Sequence, residues 1–223
     1  MLVRRASARR GVVAVHARSF GSRNAFGLGI DAQRILGASV SIHEGMRITG
    51  GKWRGRRIPE LKGFQGRPTT DFGREGLFNL LSSRVDLEGL HILDLFSGTG
   101  MVSLECLSRG AASVTAVEKA PKACRFAMAQ ATQLGSDDLH TVCADVWTFL
   151  NKPLTQFDLV FADPPYDMPR LTSLPEVVRE SGVLASGGWF ILEHGERVDV
   201  SNQEGHMLSR KYGHVHFSLF NFD

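Results

Sequence analysis

The chain has only three cysteines in 223 residues, Cys106, Cys124 and Cys143, and none forms a C-x-x-C pair. That scarcity excludes a disulfide framework and a cysteine zinc site, and it points to a reducing compartment. No apolar run approaches the ~20 residues that a membrane-spanning helix requires, so no membrane partner is expected. No Ser-His-Asp or Cys-His nucleophile arrangement stands out. His214 and His216 fall on one face of a strand with no third ligand in sight, so no metal is expected either. Internal repeats and low-complexity tracts are absent as well. What remains is 43% apolar and 22% charged, enough for one well-buried domain with a modest appendage, expected as a monomer.

Acid is missing from one end. The first thirty residues carry six arginines and no Asp or Glu. Residues 1–70 hold 14 Lys and Arg against Asp31, Glu44 and Glu60, which leaves 12 basic against 20 acidic residues for 71–223. A basic front on an acidic body suits a polyanion, with nucleic acid the obvious candidate, although basic arms are equally often solvated tails. Residues 1–45 lack steady periodicity. Their composition resembles that of an organelle transit peptide, but the favoured explanation is that translation starts at Met46 and that they are a mis-assigned or disordered extension without a fixed fold. The expected location is cytoplasmic, and organellar only if that extension is genuine.

Patterned sequence begins at Met46. The stretch from Met46 to Ile58 reads as a hairpin turning at Gly50-Gly51, with Lys52, Arg54, Arg56 and Arg57 beside Trp53. Guanidinium groups hold phosphates and planar rings stack on unpaired bases, so this arm, 46–70 with Arg67, is expected to face RNA; Trp53 could equally pack on the domain. Arg67-Pro68-Thr69 then leads into a helix that Thr70 or Asp71 can cap, with Leu77, Phe78 and Leu81 on its apolar face. Gly73 and Gly76 each cost such a helix ~1 kcal/mol against alanine, which hints at something approaching its backbone closely.

Strands and helices then alternate through 71–223. Strands are expected over 90–95, 113–117, 139–143, 158–161 and 189–192. Helices are expected over 101–108, from Pro121 to about Gly135, over 147–150 and over 171–180. The alternation implies a parallel sheet covered on both faces, and the tail, 205–210 and 214–220 around Tyr212-Gly213, reads as an antiparallel hairpin on one edge.

Two loops carry the chemistry. Leu93-Asp94-Leu95-Phe96-Ser97-Gly98-Thr99-Gly100 and Asp163-Pro164-Pro165-Tyr166 each leave the carboxyl end of a strand, where open α/β sheets hold ligands. In the first, a dinucleotide fingerprint would require glycine or alanine three residues after Gly100, where Ser103 stands, so a nicotinamide cofactor is not supported. Glu118 ends the next strand and is placed to accept hydrogen bonds from ribose hydroxyls; Asp145, after the third strand, could reach an adenine amine. Each acid alone is more often an N-cap or surface residue. The second loop combines a carboxylate, a carbonyl that proline leaves without a neighbouring N–H and an aromatic face, a set able to grip an exocyclic base amine. Glu193-His194, after the fifth strand, could brush the base, but a structural role is expected.

These motifs resemble the class I S-adenosylmethionine-dependent methyltransferases, and Asp-Pro-Pro-Tyr resembles the motif of members acting on exocyclic amines. The hairpin, the Arg67-Pro68-Thr69 helix start, the glycine loop, Glu118, Asp145 and the Asp163 loop together are similar, over 46–220, to the bacterial methyltransferases that modify a guanine N2 amine in 16S ribosomal RNA. Phe72-Gly73 and Gly76 depart from that family's pattern, in which bulkier or better helix-forming residues stand. The resemblance implies a Rossmann-like, mostly parallel seven-stranded sheet with an antiparallel C-terminal hairpin and a small N-terminal hairpin arm. It implies S-adenosylmethionine held by Asp94, Phe96, Ser97, Gly98, Thr99, Gly100, Glu118 and Asp145. Asp163, Pro164 and Tyr166 would carry the transfer, and ribosomal RNA, free or in an assembling small subunit, would be the partner. An adenine-N6 methyltransferase and a catalytically silent RNA-binding protein on the same fold are the alternatives.

Overall fold

The computed structural model describes residues 45–64, 71–152 and 155–223, so the expectations for 1–44, Arg67 and the Thr70 cap lie outside the described residues. Among the described residues no helix is long and apolar enough to cross a membrane. In the described residues, nine strands and five α-helices follow in the order β1 (Met46–Arg47), β2 (Arg57–Ile58), α1 (Asp71–Ser82), β3 (His91–Leu95), α2 (Met101–Ser108), β4 (Ser113–Glu118), α3 (Pro121–Gln133), β5 (Leu139–Cys143), α4 (Val146–Leu150), β6 (Phe157–Ala162), α5 (Leu174–Ser181), β7 (Leu184–Gly195), β8 (His206–Tyr212) and β9 (Val215–Phe220).

Seven of the strands form one sheet in the order β5-β4-β3-β6-β7-β9-β8. The first five run parallel, and β9 and β8 add antiparallel to the edge. The order reverses between β3 and β6, which makes the carboxyl ends of those two strands the natural ligand crevice. Each face of the sheet buries its own apolar layer. Ile92, Phe161, Ile191 and Phe217 meet Leu77, Phe78, Leu104 and Leu107 from α1 and α2. Leu93, Leu95, Val160 and Phe190 meet Leu150, Leu174 and Val178 from α4 and α5.

Three local features differ from the sequence expectation. The strand expected over 189–192 runs from Leu184 to Gly195, because its pairing with β6 slips between Phe157 and Leu159 and a bulge absorbs the extra residues, with Gly187 at φ +73°. The helix expected over 171–180 opens as a 3-10 turn, Leu171–Ser173. The N-terminal hairpin pairs Met46 with Ile58 and Arg47 with Arg57, but its connection is a 3-10 turn, Gly51–Trp53, and not a tight two-residue turn at Gly50-Gly51. Docking explains this shape: a Cβ on Gly51, at φ +72°, would lie 1.8 Å from the Ser108 carbonyl oxygen at the end of α2.

The arm is joined to the body by burial as well as by polar contacts. Ile48 and Ile58 are 0% and 2% exposed and belong to the same apolar layer as α1 and α2. Gly76 meets the expectation of close approach, since a Cβ there would sit 2.6 Å from the Tyr212 ring of β8. The propensity lost in α1 therefore makes room for an aromatic of the edge hairpin.

Candidate active site

The glycine loop is shaped by its backbone. Phe96 at φ +60° leaves β3 in a conformation uncommon for a residue with a side chain, and Gly98 and Gly100 follow at +53° and +78°. The Ser97 N–H donates to the Val117 carbonyl, and the Gly100 N–H closes back on Ser97. A Cβ on Gly100 would meet Ala127 of α3 at 2.7 Å, so glycine lets the loop lie against that helix.

Asp94 lies beneath this loop and not in its opening. It is 1% exposed and accepts from both the hydroxyl and the N–H of Ser103. Ser103, the residue that spoils the dinucleotide fingerprint, thereby ties Asp94 to the first turn of α2. Glu118 is turned toward the loop: Oε2 accepts the Gly98 N–H at 3.1 Å and Oε1 the Ala120 N–H at 2.8 Å. A carboxylate has about four acceptor positions, so both oxygens retain capacity for donors such as ribose hydroxyls. Asp145 is exposed and caps α4, with Oδ1 accepting from Trp147 and Thr148. Only its other oxygen is left for a ligand's amine. Phe64, which the sequence reading did not single out, lies over the loop, with ring carbons 3.6 Å from where a Gly98 Cβ would be. Its one sequence signal is an aromatic placed just ahead of the Arg67 motif. Positive-φ glycines, a carboxylate at the end of β4 and an aromatic cover are the features that an adenosyl sulfonium donor requires, so the loop fits that cofactor.

Four acids stand along the carboxyl edge of four adjacent strands. Asp94 is in register with Ala116 and Phe161, and Phe161 with Ile191. Glu118, Asp163 and Glu193 each come two residues after those partners, so period-two alternation puts all four carboxyls on one face of the sheet. The Asp163 N–H donates to the Leu95 carbonyl at 3.3 Å, which pins the second loop beside the first. Pro164 is buried, while Tyr166 is 37% exposed, leaving ring surface for stacking. The Tyr166 hydroxyl donates to Glu193 Oε1 at 2.8 Å, and its ring passes over Gly195, where a Cβ would be 3.0 Å away.

Burial dominates the electrostatics of this row. It pushes the Asp94 carboxyl up to about 7, opposed by the Ser103 hydroxyl and reinforced by the Asp163 and Glu118 charges. Glu193 is pushed up to about 8 by burial first and then by the charge on Asp163. Glu193, expected from sequence to be structural with a possible reach to the base, lies beside both Asp163 and Tyr166. An acid ending a buried strand, as Asp94 and Glu118 do, was the signal for it. His194, beside it, is buried and turns to Gly195 and Ser218, away from the acids, with burial lowering its basicity.

The basic arm is presented from the other end of α2. Lys52, Arg54, Arg56 and Arg57 are exposed, and Lys52 lies over the ring of Trp53, which is half-buried against the core. Behind them the fully buried Glu105 accepts from the Thr49 N–H and hydroxyl, the Gly50 N–H and Arg109.

The family model described as Conserved hypothetical protein 95 matches residues 46–221. The Ribosomal RNA small subunit methyltransferase D of Buchnera aphidicola subsp. Baizongia pistaciae is 29% identical over 179 residues, 78% of this chain and 91% of its own length. The Escherichia coli K12 protein of the same name is 33% identical over 148 residues, 66% of this chain and 74% of its own. An Escherichia coli structure described as a candidate methyltransferase superposes with a TM-score of 0.70 at 30% identity, covering 80% of this chain and 98% of its own.

Proposed function

The chain belongs to the Conserved hypothetical protein 95 family, and from that membership and the site we propose that it is an S-adenosylmethionine-dependent methyltransferase acting on the exocyclic N2 amine of a guanine in small-subunit ribosomal RNA. The observation that carries the reading is the position of Asp163. It leaves the strand next to the glycine loop, its backbone is bonded to Leu95, and its carboxyl is close enough to Asp94 to raise that group's pKa.

When bound, the cofactor would supply an electrophilic methyl group on a sulfonium, whose S–C bond breaks as the acceptor takes the methyl and whose sulfur leaves as a neutral thioether. Glu118 and the backbone of residues 96–100 would hold it. The guanine N2 lone pair is delocalised into the ring and attacks poorly. Hydrogen bonds from the amine to the Asp163 carboxylate and the Pro164 carbonyl favour a pyramidal nitrogen, and the exposed face of Tyr166 stacks on the base. As the new N–C bond forms the nitrogen becomes strongly acidic, so an ordinary carboxylate suffices to stabilise or accept its proton. Positioning contributes most of the acceleration. The base must leave its stack to reach this loop, which favours an unpaired or displaced nucleotide. Lys52, Trp53, Arg54, Arg56 and Arg57 grip the surrounding RNA, free or within an assembling small subunit.

The test is mass spectrometry of ribosomal RNA nucleosides from a deletion strain, paired with purified Asp163→Ala. Loss of N2-methylguanosine, and transfer abolished in the variant with cofactor affinity within about threefold of wild type, supports the reading. Loss of N6-methyladenosine instead, or undiminished turnover by the variant, refutes it.

A further inference from the structure

Glu193 ends the buried part of β7 with 2% of its surface exposed. One oxygen accepts the Tyr166 hydroxyl, and the other, Oε2, has no donor within reach among the described residues. Its polar neighbour is the Asp163 carboxyl, set beside it by the strand register, each acid lying two residues past the Phe161–Ile191 pair. Carboxylates only accept, so the two can bond to each other only when one of them carries a proton. Burial chooses the carrier. Glu193 is more buried than the partly buried Asp163, and a charge there would be both desolvated and beside a like charge.

We propose that Glu193 is a positioning residue that works as a neutral carboxylic acid, donating from Oε2 to Asp163 and accepting the Tyr166 hydroxyl at Oε1. One buried side chain thereby sets both the carboxylate that meets the substrate amine and the ring that stacks on its base. This deepens the methyltransferase reading and rests on the role given there to Asp163. The groups facing Glu193 are Asp163 and Tyr166; Asp94 acts on Asp163 from β3, and the paired strand β9 brings the uncharged Phe217 opposite. The pair Glu193–Asp163 then holds one proton and one negative charge, the charge lying on the more exposed member. Burial raises the Glu193 pKa to about 8 and so keeps that arrangement in place at neutral pH.

Glu193→Gln keeps an N–H donor for Asp163 and a C=O acceptor for Tyr166 but cannot ionise, whereas Glu193→Ala removes both bonds. Methyl transfer to small-subunit RNA is measured for wild type, both variants and Asp163→Ala between pH 6.5 and 9.5, with cofactor affinity by calorimetry and thermal melts beside it. Expected is a Gln variant within about threefold of wild-type kcat whose activity persists above pH 8, where ionising Glu193 lowers that of wild type. The Ala variant loses about 100-fold in kcat, the scale of a misplaced reacting group, with cofactor affinity unchanged. A Gln variant as impaired as the Ala variant would make Glu193 an ionised base and overturn the proposal. Full activity in the Ala variant, or a wild-type alkaline limb that the Gln variant retains, overturns it equally; if the Ala variant does not fold, the Gln comparison alone decides. A wild type that methylates no guanine would instead fail the underlying reading.

Discussion

Removing the carboxylate of Glu105 should detach the RNA-facing arm from the body without touching the cofactor loop. The Glu105 side chain is 0% exposed and accepts four donors: Thr49 N–H at 2.8 Å, Thr49 Oγ1 at 2.7 Å, Gly50 N–H at 2.7 Å and Arg109 Nε at 2.9 Å. Glu105→Ala leaves two backbone N–H groups without an acceptor, each costing about 1–3 kcal/mol, and a part-buried guanidinium without its partner. These losses overlap, and removing one member of a buried ion pair as a whole costs about 3–5 kcal/mol, so about 3 kcal/mol is expected. Arg109 keeps its contact with the Phe78 ring at 4.5 Å, and the Ser108 hydroxyl still donates to the Gly50 carbonyl, which holds the loss toward the lower end. Urea denaturation gives the total, and amide hydrogen exchange at Thr49 and Gly50 shows whether the arm opens locally or the domain weakens as a unit. RNA affinity should fall while cofactor affinity stays within about threefold. A Glu105→Ala protein within about 0.5 kcal/mol of wild type, with both amides still protected, would refute the latch.

Reversing the charges of Arg54, Arg56 and Arg57 together should weaken RNA binding and lower the slope of log affinity against log salt by about 2–3, since each phosphate contact contributes roughly 0.7–0.9; an unchanged slope removes the arm from recognition. Asp94→Asn tests the buried acid. A carboxyl whose folded value is raised to about 7 stabilises the fold fully below its unfolded value of 3.8, and loses that contribution as pH rises to 7. Asparagine does not titrate, so its stability relative to wild type should improve between pH 4 and 8, by at most on the order of 4 kcal/mol. A difference that stays flat over that range, read by denaturant titration at each pH, would place the charge elsewhere.

Much of the parallel core was legible because it is written in apolar runs and their stop signals. The helix from Met101 to Ser108 and the strand from Leu139 to Cys143 fall where Gly110 and the flanking polar residues end them. What escaped depends on partners distant in sequence. The long β7 needs Phe157 and Leu159 to define its bulge, and no local pattern announces a strand through Ser186-Gly187-Gly188. The arm's 3-10 turn is imposed by Ser108, more than fifty residues away, and Gly76 is explained only by Tyr212. In the site, Asp163, Tyr166, Gly98 and Glu118 were readable from motif spacing. Glu193 carried only the weaker signal of an acid ending a buried strand, because its importance comes from lying one strand over from Asp163, a neighbour relation that sheet order supplies.

That order has a consequence for charge. Read across the sheet, the acids run Glu118, Asp94, Asp163, Glu193 on β4, β3, the β6 loop and β7, and four like charges on neighbouring strands would repel strongly in a partly dry cleft. Burial relieves this in alternation: the second and fourth members have pKa values raised to about 7 and 8, so at neutral pH the row holds fewer charges than carboxyls. The two most deeply buried acids bind side chains of the protein, Ser103 and Tyr166, while Glu118, which accepts backbone N–H groups, and Asp163 border the loops where cofactor and base are proposed to meet. It follows that substitutions at 94 and 193 should act chiefly through the geometry of their neighbours, and substitutions at 118 and 163 directly on cofactor binding and on transfer.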